Sequence, residues 1–262
     1  MIKKIKVKPD KLGADIFFFR EIDLTALPNP RIVPLFGPNG VGKSTLIKGI
    51  QQYFEAVKYL QRKNENNVDT ILDALNPDYK FVDHFDDIGL ALEYDKEKFS
   101  LYSYRNSEDN FRDRKARSIN ESFNPVFFAA KMNARSVSEG QSVVYSAFDL
   151  LDGLKPGKDM FGDMDSALLV LLDELDSGMS IDNIDIAMRK LKKAVTTRDK
   201  IQVFLSFNSP RVLKHFPYVI SMYDGKVKEM HTDEDMMTEI RANSKMFDKA
   251  RKTSKGRPKI FD

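Results

Sequence analysis

The sequence predicts an α/β fold built on a parallel sheet, and three observations carry that prediction. Gly37-Pro38-Asn39-Gly40-Val41-Gly42-Lys43-Ser44-Thr45 fits the pattern G-x-x-x-x-G-K-[ST], placed between a strand-like run, Arg31 to Phe36, and an amphipathic stretch, Thr45 to Ile50. Leu168-Leu169-Val170-Leu171-Leu172 is an unbroken apolar run that ends in Asp173-Glu174, which reads as a parallel strand buried on both faces with carboxylates at its carboxyl end. Gln202-Val203-Phe204-Leu205-Ser206 reads as another buried strand, and Tyr218 to Val227 gives two strands around Asp224-Gly225, the strongest short hairpin signal.

Taken in order, Phe17, Phe18 and Phe19 read as part of a strand ahead of the glycine-rich loop, with at least one ring in the core by period-2 alternation. The loop itself predicts nucleoside triphosphate binding. Its glycines let successive N–H groups turn inward around a phosphate chain, the following helix adds its positive end, and Lys43 supplies a mobile cation. A first helix then runs to about Gln61. Asn64-Glu65-Asn66-Asn67 and Asn76-Pro77-Asp78 mark loops, and residues 88–94 and 99–104 read as a strand pair. Arg105, Arg112, Arg114, Lys115 and Arg117 stand among Glu108, Asp109 and Asp113, a mixture of signs that predicts a solvated loop.

Val137-Ser138-Glu139-Gly140-Gln141 precedes a helix-like stretch, Ser142 to Leu151, and the S-x-x-Q spacing of Ser138 and Gln141 is a capping box that predicts a helix start at Ser138. Lying after the P-loop and before the acidic strand, this segment resembles the signature of ATP-binding-cassette (ABC) ATPases, usually Leu-Ser-Gly-Gly-Gln. Asp173-Glu174-Leu175-Asp176-Ser177-Gly178-Met179-Ser180 is similar to their acidic strand end and interface-crossing loop, and Phe207-Asn208-Ser209-Pro210 to the switch segment Thr-His-Ser-Pro of soluble cassette ATPases. The likeness covers residues about 15–60 and 130–230.

That resemblance implies an ABC-ATPase head of the soluble, chromosome-maintenance-like kind, with a P-loop core sheet, an N-terminal antiparallel β region and a helical signature lobe. It implies a single domain over 1–262: a core of 1–60 and 130–230, an accessory lobe of about 61–129, and a basic C-terminal helix or tail of about 231–262. The expected ligands are ATP and Mg2+. Gly37 to Thr45 would hold the nucleotide, Ser44 and Asp173 the metal, Glu174 the attacking water, and Asn208 the γ-phosphate in place of the switch histidine. Ser138, Gly140 and Gln141 would close over the ATP of a second copy, giving an ATP-dependent head-to-tail homodimer. Three departures stand: Asn208 for histidine, Ser180 for the last acid of the crossing loop, and no glutamine between Gln61 and Gln141 for the loop that joins the lobes. Asn cannot carry a proton, so slow or partner-stimulated hydrolysis is expected.

Three functions stay open on the sequence. The first is a soluble ATPase acting with nucleic acid or with a nuclease or effector protein in repair, defence or mobile-element processes. The second is the nucleotide-binding subunit of a transporter, and the third an ATP-sensing module with little hydrolysis. The chain of 262 residues, 42% hydrophobic, can fill a large core. It has no cysteine, and its apolar runs fall far short of the roughly 20 residues of a membrane span. No membrane insertion and a cytoplasmic location are expected. Net charge is only +3, but residues 245–259 hold seven Lys or Arg against Asp248 alone, which reads as a solvated tail or a phosphate-backbone contact.

Overall fold

The computed structural model describes residues 1–8, 17–63, 89–95, 99–105, 139–154 and 167–254. The chain is α/β, with a mixed sheet of mostly parallel strands and a three-stranded antiparallel sheet. It divides into two compact units. The first comprises Met1, Arg31–Pro34 and Lys96–Pro217, and the second Ile2–Pro30, Leu35–Asp95 and Tyr218–Asp262. Strand β3 (Ile32–Phe36) passes from one to the other between Pro34 and Leu35.

In the first unit, β5 (Phe99–Arg105), β6 (Ala167–Asp173) and β7 (Ile201–Ser206) run parallel. All seven residues of β6 and all six of β7 are buried. Each large apolar side chain removed from water contributes about 1.5–3 kcal/mol, so the run from Leu168 to Leu172 fixes where the strand lies and leaves its end for the acids. Registers pair Leu172 with Leu205 and Arg105 with Asp173. One step beyond Leu205 brings Ser206 beside Asp173.

Helices α2 (Glu139–Gly153) and α3 (Ile181–Thr197) belong to the same unit. Ile184, Ala187, Met188, Leu191, Ala194 and Val195 form the buried stripe of α3 at helical spacing. Ser180 caps the helix, its hydroxyl accepting from the Asn183 N–H, so the residue where the resemblance expects an acid serves here as an N-cap. Lys190 of α3 ties to Asp152 of α2 at 2.8 Å and lies over the Phe148 ring.

In the second unit, β1 (Ile2–Val7) lies between β2 (Glu21–Asp23) and β4 (Leu90–Tyr94), antiparallel to both. Ile5 faces Ile22 and Leu92 in the two registers. A register shift between Ile2 and Lys4 explains why Ile2, Ile5 and Val7 are all buried despite their odd spacing. Helix α1 (Lys43–Lys63) buries Leu46, Ile47, Ile50, Phe54 and Val57, and the Phe54 and Tyr94 rings meet edge-on at 5.1 Å. The end of β3 pairs parallel with β8 (Tyr218–Ser221), which forms a hairpin with β9 (Val227–Glu229). Helix α4 (Asp233–Ser254) follows. Thr232 and Asp235 cap its start reciprocally, and Glu239 accepts from the Ser221 hydroxyl at 2.9 Å. Burial and then the Glu239 charge push the Tyr223 hydroxyl up to about 12.

Three local expectations are corrected. Segments 90–94 and 99–105 are strands but not partners: β4 joins β1 antiparallel and β5 joins β6 parallel, because proximity in sequence does not choose a sheet. Phe17 to Phe19 are not in a strand, although Phe17 and Phe19 are buried and Phe18 is less so. Arg105 is no loop residue; it ends β5 with a side chain 17% exposed. The loops expected at 64–67 and 76–78, the charged cluster after Arg105 and the tail beyond Ser254 lie outside the described residues. The basic residues up to Arg251 and Lys252 fall within α4. No helix among the described residues is long and apolar enough to cross a membrane.

The hairpin turn generates a test. Gly225 has φ +72°, and a Cβ there would collide with the Glu21 carbonyl oxygen and come within 3.0 Å of Phe19 Cβ. Gly225→Ala is expected to destabilise the protein by about 1–3 kcal/mol, read as a lower midpoint in thermal and urea unfolding. An unchanged midpoint would mean that this approach is not close.

Candidate functional site

The glycine-rich loop lies in the second unit, between the end of β3 and α1. Gly37 has φ +154°, and a Cβ on it would lie 2.6 Å from Val41 Cγ1 and 3.3 Å from Met222 Cβ, so no side chain fits where Val41 folds back over the loop. Gly40 and Gly42 also have positive φ. The turn is closed by Val41 N–H donating to the Pro38 carbonyl at 3.3 Å, and the first helical bond runs from Leu46 N–H to Gly42 at 2.9 Å. Lys43 is therefore the first residue of a helix, 4% exposed, with its ammonium donating to the Gly37 carbonyl and, at 3.4 Å, to that of Pro38. Asn39 and Gly40 are exposed, and Pro38, Ser44 and Thr45 are half-buried. Positive φ at three glycines ahead of a helix N-terminus is the arrangement that suits a bound anion.

The acids lie in the first unit. Asp173 is 2% exposed, and its Oδ1 accepts from the Ser206 hydroxyl at 2.6 Å, a short charge-assisted bond. The same Ser206 oxygen accepts from the Glu174 N–H at 2.8 Å. Glu174 has φ +54°, the one non-glycine residue with positive φ among those described. Such a conformation costs about 1–3 kcal/mol and persists only where neighbours fix it. Here the Ser206 oxygen does so by accepting from the Glu174 N–H. Asn208 Nδ2 lies 3.5 Å from Glu174 Oε1, the outer limit of a hydrogen bond.

Among the described residues no group of three or more His, Cys, Asp or Glu stands ready to hold a metal. Magnesium needs no such cage. It is held by one or two carboxylates with ligand phosphates and waters, and a buried carboxylate beside a hydroxyl supplies the hard oxygen donors it prefers. Asp173 fits that role.

Sequence reading missed three contributors. Ser206 holds both acids, yet as one serine at a strand end it gave no motif. Arg105 Nε lies 3.4 Å from Asp173 Oδ2 through a register that only the sheet reveals. Asp176, 4% exposed, accepts at one oxygen from the N–H groups of Asn208, at 2.9 Å, and Ser209, at 2.6 Å, and so fixes the expected switch segment.

That segment continues as a 3-10 turn, Pro210–Lys214, capped by Ser209. Asp185 of α3 receives Arg211 through Nε at 2.9 Å and through Nη2, His215 Nε2 at 2.8 Å, and Lys214 at 3.9 Å. Gly178, in the turn after β6, has φ +77°, and a Cβ on it would lie 3.6 Å from Val143 Cγ2 of α2. Helix α2 begins at Glu139, so Gly140 falls in its first turn and Gln141 is exposed, whereas Ser138 lies outside the described residues.

Hydrogen bonds from Arg211 and then His215 hold the Asp185 carboxyl well below the usual carboxylate range. Its folded value lies below the unfolded one of about 3.9, so its stabilisation is complete above that value and is lost as pH falls towards the folded one. Asp185→Asn should lower the melting temperature at pH 7, and the gap to the parent protein should narrow below about pH 4. A gap that stays constant from pH 7 to 3 would remove the carboxylate charge from the explanation.

No protein-family model matches this chain, and no curated protein matches it.

Proposed function

We propose that the protein is an ATP-binding-cassette type ATPase, which binds ATP with magnesium and hydrolyses it slowly. The observation that supports this reading most is the loop from Gly37 to Lys43, with positive φ at Gly37, Gly40 and Gly42 and a buried lysine opening the helix. Backbone N–H groups and the helix end would bind the phosphates, and Lys43 would turn from the carbonyls of Gly37 and Pro38 to the outer phosphates. Magnesium supplies charge neutralisation on the phosphates when bound, and Ser44 and Asp173 are the residues that would hold it. Glu174 would accept the proton of the water that attacks the γ-phosphorus as the bond to the ADP oxygen breaks.

Asn208 can donate to a γ-phosphate but cannot relay a proton, which favours slow turnover. The same observation supports a second reading, an ATP-sensing module with little hydrolysis. In either case Ser138, Gly140 and Gln141 of one copy would close over the ATP of another in a head-to-tail homodimer. The processes that suit a soluble ATPase of this type are repair, defence or mobile-element functions, with nucleic acid or a nuclease or effector protein as partner. A transporter subunit would need the lobe-joining glutamine that the sequence lacks between Gln61 and Gln141.

Two substitutions test the reading. Lys43→Ala should weaken ATP binding at least about tenfold in calorimetry with magnesium, because the phosphates lose a charge-assisted donor. Unchanged affinity would show that the loop is not the nucleotide site.

Glu174→Gln should retain ATP binding and abolish turnover, since an amide positions water but accepts no proton. Size-exclusion chromatography should then show a dimer with ATP and a monomer without it. Hydrolysis at the parent rate would remove Glu174 from the role of base.

A further inference from the structure

Asp173 has a neighbour on each of its two oxygens. Ser206 donates to Oδ1, and the Arg105 guanidinium lies against Oδ2 with Nε at 3.4 Å. Arg105 arrives there because the β5–β6 register runs without interruption from Phe99↔Ala167 to Arg105↔Asp173, so the last residues of two parallel strands are directly paired. The pair is poorly solvated, with side chains 17% and 3% exposed. A guanidinium keeps its charge at any working pH, so this contact is permanent in sign.

Resting on the reading of Asp173 as a magnesium ligand, we propose that Arg105 is a positioning residue that sets the metal affinity of the site, acting as a built-in counter-ion that competes with the divalent cation for Asp173. Two effects have the same sign. The guanidinium draws charge on the carboxylate towards Oδ2, and its positive charge would oppose a divalent cation held by Asp173, with little screening because both side chains are largely removed from water. Ser206 cannot do this, because its hydroxyl is neutral and orients Oδ1 without opposing a cation. Arg105 therefore also makes a buried carboxylate tolerable when no metal is bound, since an unpaired charge at 2% exposure would be costly.

The test uses the full chain carrying Glu174→Gln, so that ATP is bound and not consumed, and reads free Mn2+ by electron paramagnetic resonance during a Mn2+ titration with saturating ATP. Arg105→Gln should lower the Mn2+ concentration for half-saturation by about three- to tenfold, whereas Arg105→Lys, which keeps the charge, should stay within about twofold of the parent. Arg105→Met carries the same expectation as Arg105→Gln and serves as a second neutral variant that keeps the aliphatic stem. Damage to the fold alone would weaken metal binding, so a gain in affinity separates the electrostatic role from a structural one. Mn2+ binding that is unchanged or weaker in both neutral variants overturns the proposal while leaving the nucleotide site standing. A parent protein that takes up no Mn2+ with ATP overturns the nucleotide and metal reading itself, and with it this inference.

Discussion

The hydroxyl of Ser206 is the junction on which the carboxyl ends of β6 and β7 depend. It has one proton to give and lone pairs to receive, and it gives the proton to Asp173 while receiving the N–H of Glu174. The strand ends at Asp173, and the left-handed backbone at Glu174, whose N–H is held by Ser206, turns the chain out of the extended conformation there. The register that places Ser206 there, with Leu172 paired to Leu205, belongs to a strand buried along its whole length.

Three aspartates within a short stretch serve three different purposes, which their partners decide. Asp173 faces a hydroxyl and a guanidinium, and Asp176 takes two successive backbone N–H groups. Asp185 is surrounded by Arg211, Lys214 and His215. The segment from Asn208 to His215 is thereby held at both ends by carboxylates, one gripping its backbone and the other its side chains. Asn208 inherits a fixed position from this, although its own side chain makes only a long contact with Glu174.

The periodic part of the architecture was legible in the sequence. The apolar run ending in Asp173-Glu174, the strand at 201–206 and the hairpin around Gly225 follow from burial and turn chemistry, which are local properties. The helix after Gly42 follows equally from local chemistry. Partner choice is not local. Residues 90–94 and 99–105 are near neighbours in sequence, and nothing in either tells that one belongs to an antiparallel sheet and the other beside β6. For the same reason Arg105 read as one charge among many until register set it against Asp173. Ser180 and Ser206 were illegible for a different cause: a single hydroxyl acquires meaning only from the groups it reaches.

The direct pairing of β5 with β6 also bears on how the chain is made. Phe99 is joined to Ala167, and Leu35 of β3 to Ile220 of β8. Parallel strands so far apart along the chain cannot pair until the intervening segment has been brought round, and closing such loops costs entropy before any ladder bond is gained. As the polypeptide leaves the ribosome, β5 emerges with its final neighbour still unsynthesised, and β3 waits longer still. The antiparallel sheet of β1, β2 and β4 is complete within the first 94 residues, so it can form on the nascent chain well before the parallel strands find their places.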